Sequence, residues 1–443
     1  MELKVGAFEF LDLMNGAHKQ PEYLGKIPSG KVPGMEDGNV KIGESCAILR
    51  YLAMKYGPKY YPIDKPAVCY KIDFALDAFC NQVYEAHTKV VYPALGFNSP
   101  PEDQAAANKD YGEKIAKWFQ DHVAGKFVLG DTLSIADFKV LPFFFAASQP
   151  AVKAIVGFTA AARVTKYCED VTAAVGASEF LKSAGGYSIT EYAASKMPSS
   201  PVEASPAVEI DGNSKRTVGT PAGDKKVKIH GAPPSMNCVG PALLAQESGC
   251  GAFEPVNFME GAHKKPEFLA INPQGQMPAL EDGTVTGGES LAILRYLAMK
   301  YAPKYYPVAN KEATARIDYA MEDFQSRVYE AHKGCVYPVC GFTAMPTDIP
   351  AASKAYVEAM ENWASAHLKG KFVLGDEVSI ADFKVVPFFF CALQPGLQKK
   401  MGLEPPAKIT EYCNAFVAAV GASSFMKEAG GFSIAELIAS KTQ

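Results

Sequence analysis

No Cys-x-x-Cys pair occurs among the ten cysteines (Cys46, Cys69, Cys80, Cys168, Cys238, Cys250, Cys335, Cys340, Cys391 and Cys413). That spacing is a common signature of a redox dithiol or a zinc site, so neither is expected and no metal is assigned. The amino terminus, MELKVGAFEF, lacks the basic stretch and apolar run of a secretory signal. The cysteines lie mostly among apolar helical residues, so buried reduced thiols in a cytoplasmic protein are expected. An excess of basic charge is missing too. The 44 Lys and Arg face 48 Asp and Glu, for a net charge of −4. With no basic stripe, nucleic acid is not an expected partner. The apolar stretch Val140 to Ala147 contains Pro142 and is far too short to span a bilayer, so no membrane partner is expected. What remains is ordinary for a globular protein, 48% hydrophobic and 21% charged. A chain of 443 residues exceeds one ordinary core.

Most of the sequence is present twice. Residues 6 to 196 align with 251 to 441 at a constant offset of 245, without a gap. GAFEFLDLMNGAHKQPEYL pairs with GAFEPVNFMEGAHKKPEFL, and GKFVLGDTLSIADFKVLPFFF with GKFVLGDEVSIADFKVVPFFF. The two tryptophans, Trp118 and Trp363, form one pair. So long a period means a duplicated domain rather than a solenoid. Residues 198–225, rich in Pro, Ser and Gly, read as a flexible linker with an r.m.s. span of about 30 Å. The structured stretch that occurs once is Lys226 to Glu247, KVKIHGAPPSMNCVGPALLAQE. Copy 1 is therefore expected to lack an initial strand and helix.

In copy 2, Val227 to His230 reads as a strand and Ser235 to Gln246 as a helix. A second strand is expected over Phe253 to Phe258, and a short helix or turn over Lys265 to Leu269. Met277 to Leu280 and Val285 form a hairpin about Asp282-Gly283. Ser290 is placed to cap a helix through Lys300. Helices then follow near 311–337, 351–368, 379–393, 406–420 and 433–440. Ser379 to Asp382 is a capping box, repeated as Ser134 to Asp137. The expected class is α/β plus all-α: two tandem units, each a βαβ–ββα half followed by a helical half. The boundaries are 1–62 and 63–197, a linker at 198–225, then 226–307 and 308–443.

NPQGQMPALEDG and GGESLAILRYL resemble the glutathione-binding half of glutathione S-transferases, a thioredoxin-like domain. GAHKKPEFL is similar to the plant phi-type pattern, and GKFVLGDEVSIADF resembles the family's capping motif in the helical half. The resemblance implies glutathione as co-substrate and assigns site residues. Ser235 would donate a hydrogen bond to the thiolate, as the serine after the first strand does in serine-type members. His263 and Lys264 match residues near the glycine carboxylate, with Gln276 as a further contact. Pro278 matches the family's cis-proline, which turns the Met277 backbone toward the ligand. Glu289 and Ser290 lie in an ES-x-AIL pattern present in both copies, which favours ligand contact, with Glu289 placed to help receive an ammonium.

The residues support this chemistry independently. Glutathione is an anionic tripeptide with a thiol of pKa about 8.5, so thiolate needs stabilising at neutral pH. A hydroxyl donor and a helix N-terminus both favour it, and Ser235 combines them. Ser290, at a helix start, offers a hydroxyl and backbone N–H groups to a carboxylate. Blander readings stand beside these. Ser235 alone is an ordinary N-cap, and His263 with Lys264 would make a solvated face. Cys238 is the rival thiol, or a core residue. His332 and His87 read as structural or near the acceptor pocket, and Phe388 to Phe390 and Phe143 to Phe145 as core.

Copy 1 retains His18, Lys19, Pro33, Glu44 and Ser45, with Val32 in place of Met277. It replaces Asn272 by Ile27 and Gln276 by Lys31, and has no counterpart of Ser235. It reads as a remnant site without thiol activation. Its half-domain would be truncated, patched by another segment, or covered at its edge. The resemblance implies conjugation of glutathione to a hydrophobic electrophile, or reduction of organic hydroperoxides, at copy 2. The acceptor pocket is expected around Val336 and Tyr337. It also implies self-association, as an internal pseudo-dimer or a homodimer. The alternative is a non-catalytic transferase-like module, a ligand carrier or translation-factor-like subunit.

Overall fold

The computed structural model describes residues 5–13, 15–175, 191, 194–197, 202–210, 227–420 and 434–442. By compactness the chain forms two units: Met1–Asn15 with Leu52–Thr217, and Gly16–Tyr51 with Val218–Gln443. This division follows packing rather than the repeat, because part of copy 1 belongs to the second unit.

Copy 1 supplies a hairpin, β1 (Gly34–Asp37) and β2 (Val40–Gly43), and helix α1 (Ser45–Tyr56). Its helical half holds α2 (Pro66–Ala78), α3 (Tyr84–Ala94), α4 (Gln104–His122), α5 (Ile135–Ala147), α6 (Pro150–Val156) and α7 (Ala162–Val175). Copy 2 opens with β3 (Val227–Gly231), α8 (Met236–Glu247) and β4 (Gly251–Pro255). Then come α9 (Pro266–Ile271), β5 (Ala279–Asp282), β6 (Val285–Gly287) and α10 (Ser290–Tyr301). Its helical half holds α11 (Lys311–Asp323), α12 (Tyr329–Cys340), α13 (Ile349–His367), α14 (Ile380–Ala392), α15 (Pro395–Met401), α16 (Ala407–Val420) and α17 (Ile434–Thr442).

The copy 2 sheet has the order β4-β3-β5-β6. β3 runs parallel to β4 and antiparallel to β5, and β5 pairs antiparallel with β6. β3 is thus the strand on which β4 depends. The copy 1 residues that match β4 are 6–10, and they form no strand. Phe8 and Phe10 there are exposed. A strand with no ladder partner leaves its backbone groups to water, so the stretch stays irregular. The β1–β2 hairpin survives because it pairs with itself. It packs through β2 against α11, where Gly43 lies beside the Tyr319 ring.

Several boundaries differ from those expected. The strand expected over Phe253 to Phe258 ends at Pro255, and the chain then turns. The helix expected over 311–337 is two helices joined by a π turn, Phe324–Val328. Helix α15 was not expected; it starts on Pro395, a residue suited to the first helical turn. Of the expected linker, 202–210 lies among the described residues and is docked, not free. The Val202 N–H donates to the Ala154 carbonyl, and Ser205 to Gly157. Val208 reaches Gly112. Its spaced apolar residues Val208 and Ile210, both half-buried, give it a surface to dock.

The capping box is present at both predicted places. In copy 2, Asp382 accepts from the Ser379 N–H at 2.7 Å, its hydroxyl at 2.8 Å and the Tyr412 hydroxyl at 2.8 Å. This fixes where α14 begins, and hence where Lys384 sits. All ten cysteines are thiols, eight of them buried.

Candidate glutathione site

Two helix starts meet at the site. The first belongs to α8, with Ser235 as N-cap in extended backbone, φ −85° and ψ 115°. The Ser235 side chain makes no capping bond to its own helix. It lies instead beside the Cys238 thiol. Burial pushes that thiol up to about 11, against the pull of the Ser235 hydroxyl, the Ala232 backbone and the Lys384 charge. Cys238 is fully buried and neutral at physiological pH, which fits a core residue and not a reactive thiol.

The second helix start is that of α10. Ser290 is the first helical residue and Glu289 the N-cap, correcting the expectation that Ser290 caps the helix. Glu289 has φ +67°, in the left-handed region that a glutamate rarely adopts. Copy 1 repeats this at Glu44, φ +62°. The Ser290 hydroxyl crosses to the first turn of α8, 3.3 Å from Asn237 Oδ1. The hairpin behind it is pinned to α10. Asp282 accepts from Tyr296 at 2.6 Å, Tyr301 at 2.7 Å and Lys300 at 2.7 Å.

Between the two helix starts stands a residue the sequence did not single out. Lys384 of α14 is 2% exposed. Its Nζ donates to Asn237 Oδ1 at 2.7 Å and to Ser290 Oγ at 3.0 Å. It also stands 4.8 Å from the centre of the Phe388 ring. Asn237 Nδ2 donates in turn to the Tyr329 hydroxyl at 3.2 Å, and Tyr329 meets Tyr337 at 2.9 Å. A lone lysine inside the apolar run ADFKVVPFFF was the available signal for this group.

The loop side of the site is formed by α9 and the turns around it. His263 stacks on Phe258, centroids 4.8 Å apart and planes 22° apart. Burial lowers its pKa, helped by the Lys264 charge. Lys264 Nζ donates to the Gly275 carbonyl at 2.8 Å. Lys19 does the same to Gly30 at 3.0 Å in copy 1. Gln276 is exposed, and its carbonyl is held by Asn272 Nδ2 at 2.7 Å. The Met277–Pro278 bond is cis, as is Val32–Pro33.

Copy 1 holds the matching carbonyl differently. Ile27 replaces Asn272 and is buried without polar atoms. Tyr23, at the place of Phe268, donates its hydroxyl to the Lys31 carbonyl at 2.6 Å instead. His18 lies on the same short turn as Lys19, and Val32 is exposed. Glu44 Oε1 accepts from the Ser326 hydroxyl at 2.7 Å, and Ser45 begins α1. The remnant thus keeps its loop geometry without a thiol-side helix in the described residues.

Val336 is 1% exposed, so it lies in the core rather than lining an acceptor pocket. The inner face of α12 is set by His332, Val336 and Val339, at helical spacing. Tyr337 is half-buried and meets Phe342, which meets Phe258 at 6.3 Å. Phe258, Met259, Phe342 and Met345 are exposed apolar side chains.

A βαβ–ββα sheet followed by helices defines a thioredoxin-like half joined to a helical half. Comparison with known proteins agrees. The profile for "Glutathione S-transferase, N-terminal domain" matches residues 4–54 and 225–299, one match in each copy. Glutathione S-transferase 3 of Zea mays is 32% identical over 164 residues, 35% of this chain and 73% of the relative. Glutathione S-transferase 1 of Zea mays is 31% identical over 172 residues, 37% of this chain and 80% of the relative. A delta-class glutathione transferase of Nilaparvata lugens is a structural neighbour at 23% identity and TM-score 0.43, over 49% of this chain and 100% of its own. The chain belongs to the glutathione S-transferase family, as a tandem duplication of its phi-like form, and is a glutathione transferase.

Proposed function

We propose that copy 2 carries the working site and conjugates glutathione to hydrophobic electrophiles, with Ser235 as donor to the thiolate. The thiolate sulfur attacks the electrophilic carbon, a C–S bond forms, and the leaving group departs with its electron pair. The observation that carries this reading is the position of the Ser235 hydroxyl, which lies beside the Cys238 thiol rather than capping its own helix. It sits at the N-terminus of a 12-residue helix and makes no capping bond there. A donor hydroxyl and a helix start both lower the free energy of an adjacent anion.

Ser290, Glu289, Met277, Gln276, His263 and Lys264 are the proposed tripeptide contacts. The exposed rings of Phe258 and Phe342 would carry the electrophile, in place of Val336. Ser235 lies in copy 2, and thiol activation is assigned there. Reduction of hydroperoxides would use the same thiolate.

The test is Ser235→Ala in the full chain. Turnover of a standard aromatic electrophile should fall about tenfold or more, the scale of a lost charged hydrogen bond. Retention on immobilised glutathione should persist. Cys238→Ala should leave turnover within about twofold, since a buried neutral thiol takes no part. Unchanged turnover in Ser235→Ala would remove the assignment.

A further inference from the structure

We propose that Lys384 is a positioning residue for the γ-glutamyl carboxylate of glutathione, acting through the Ser290 hydroxyl. This rests on the reading of copy 2 as the glutathione site. An ammonium has three donors and no acceptor. Two of the Lys384 donors go to Asn237 Oδ1 at 2.7 Å and Ser290 Oγ at 3.0 Å. Ser290 Oγ therefore accepts from a cation. Its own proton goes to Asn237 Oδ1 over a long 3.3 Å contact, which a ligand carboxylate would outcompete. A hydroxyl that accepts from a charge donates more strongly. Lys384 thus presents Ser290 as a donor.

The electrostatics point the same way. Lys384 lies against the starts of α8 and α10, where backbone N–H groups already concentrate positive charge. A buried cation at two helix starts raises the local potential, and an anion between them lowers it. The faces of Phe388, Tyr329 and Phe324 lie 4.8, 5.7 and 5.8 Å from its Nζ and attract a cation there. The side chain is buried behind Ser290 and Asn237, so it acts on the ligand through them. In copy 1 the matching helix keeps Lys139.

The experiment is Lys384→Met in the full chain, with glutathione varied against a fixed electrophile. The KM for glutathione should rise about tenfold or more, with kcat within about threefold. The inhibition constant of S-methylglutathione, which has no thiol to ionise, should rise by the same factor. In a Ser290→Ala background the same substitution should add less than about threefold, because the relay is already cut. An unchanged KM, a fall confined to kcat, or full additivity with Ser290→Ala overturns the proposal. Should Lys384→Met fail to fold, a crystal structure of the unaltered chain with S-methylglutathione decides. The carboxylate on Ser290 with the Lys384 bond kept supports the relay; a carboxylate elsewhere, or Lys384 turned away, overturns it. If the unaltered chain does not bind glutathione, the functional reading itself falls. If it binds and Lys384→Met changes nothing, only this inference falls.

Discussion

His332 and His87 occupy matching turns of α12 and α3, and each meets a tyrosine hydroxyl through Nδ1. The distances are 2.9 Å to Tyr356 and 2.7 Å to Tyr111. Burial pushes both imidazoles down to about 3, with the Lys384 charge adding to the effect at His332. They are structural and neutral, not acid–base groups. The sign of the linkage follows. The unfolded histidine binds a proton below about 6.5 while the folded one does not, so stability falls as pH drops from there toward 3. Each such group should cost about 2 kcal/mol between pH 7 and pH 5. His332→Gln should flatten that fall by about the same amount in urea titrations at the two pH values; an unaltered slope would refute it. At this scale the sequence was legible where one side chain carries one local task, as at the capping-box Ser379. It was opaque where the task depends on a neighbour distant in the chain. Lys384 is 147 positions from Asn237, and no local pattern announces that pairing.

Among elements, α8 packs closely on α14. A Cβ at Gly240 would stand 2.3 Å from the Phe383 carbonyl oxygen, so the backbones of α8 and α14 touch there. Gly240→Ala should therefore push α8 off α14 and destabilise the second unit by about 1–3 kcal/mol. The expected readout is a lower denaturation midpoint together with a higher KM for glutathione, since α8 carries both Ser235 and Asn237. A midpoint within 0.5 kcal/mol of the parent, on the order of an ordinary surface change, would show that the contact relaxes freely. The same contact explains an asymmetry between copies. Pro387 and Phe388 are buried on α14, whereas Pro142 is exposed and Phe143 half-buried on α5. The helices were readable from periodicity and caps because those signals are local. The π turn in the long helix, the early end of β4 and the loss of strand at residues 6–10 were not. Each is set by a partner element rather than by its own residues.

At the scale of the molecule, the duplication was legible from the offset alone, but the way copy 1 contributes to the second unit was not. Its centre is a buried charge cluster. Arg295 holds Asp318 at 2.8 Å and Glu322 at 2.8 Å, and Arg50 of copy 1 reaches the same Glu322 oxygen at 2.5 Å. Burial acts to raise the Glu322 carboxyl, but the two guanidiniums outweigh it and hold it below its ordinary value. Nothing in either copy read alone requires a second arginine there, because the repeat aligns Arg50 with Arg295 and hides that both meet one acid. Removing a partner from a buried cluster leaves charge uncompensated, which is more costly than never having built it. Arg50→Met should therefore destabilise the second unit by about 2 kcal/mol or more, although Arg50 lies in the first copy. A Trp118→Phe background isolates the effect, since Trp363 then reports the second unit alone. A lowered Trp363 transition is the expected result. An unmoved transition would mean that residues 16–51 rest on copy 2 without stabilising it, and that copy 2 stands on its own core.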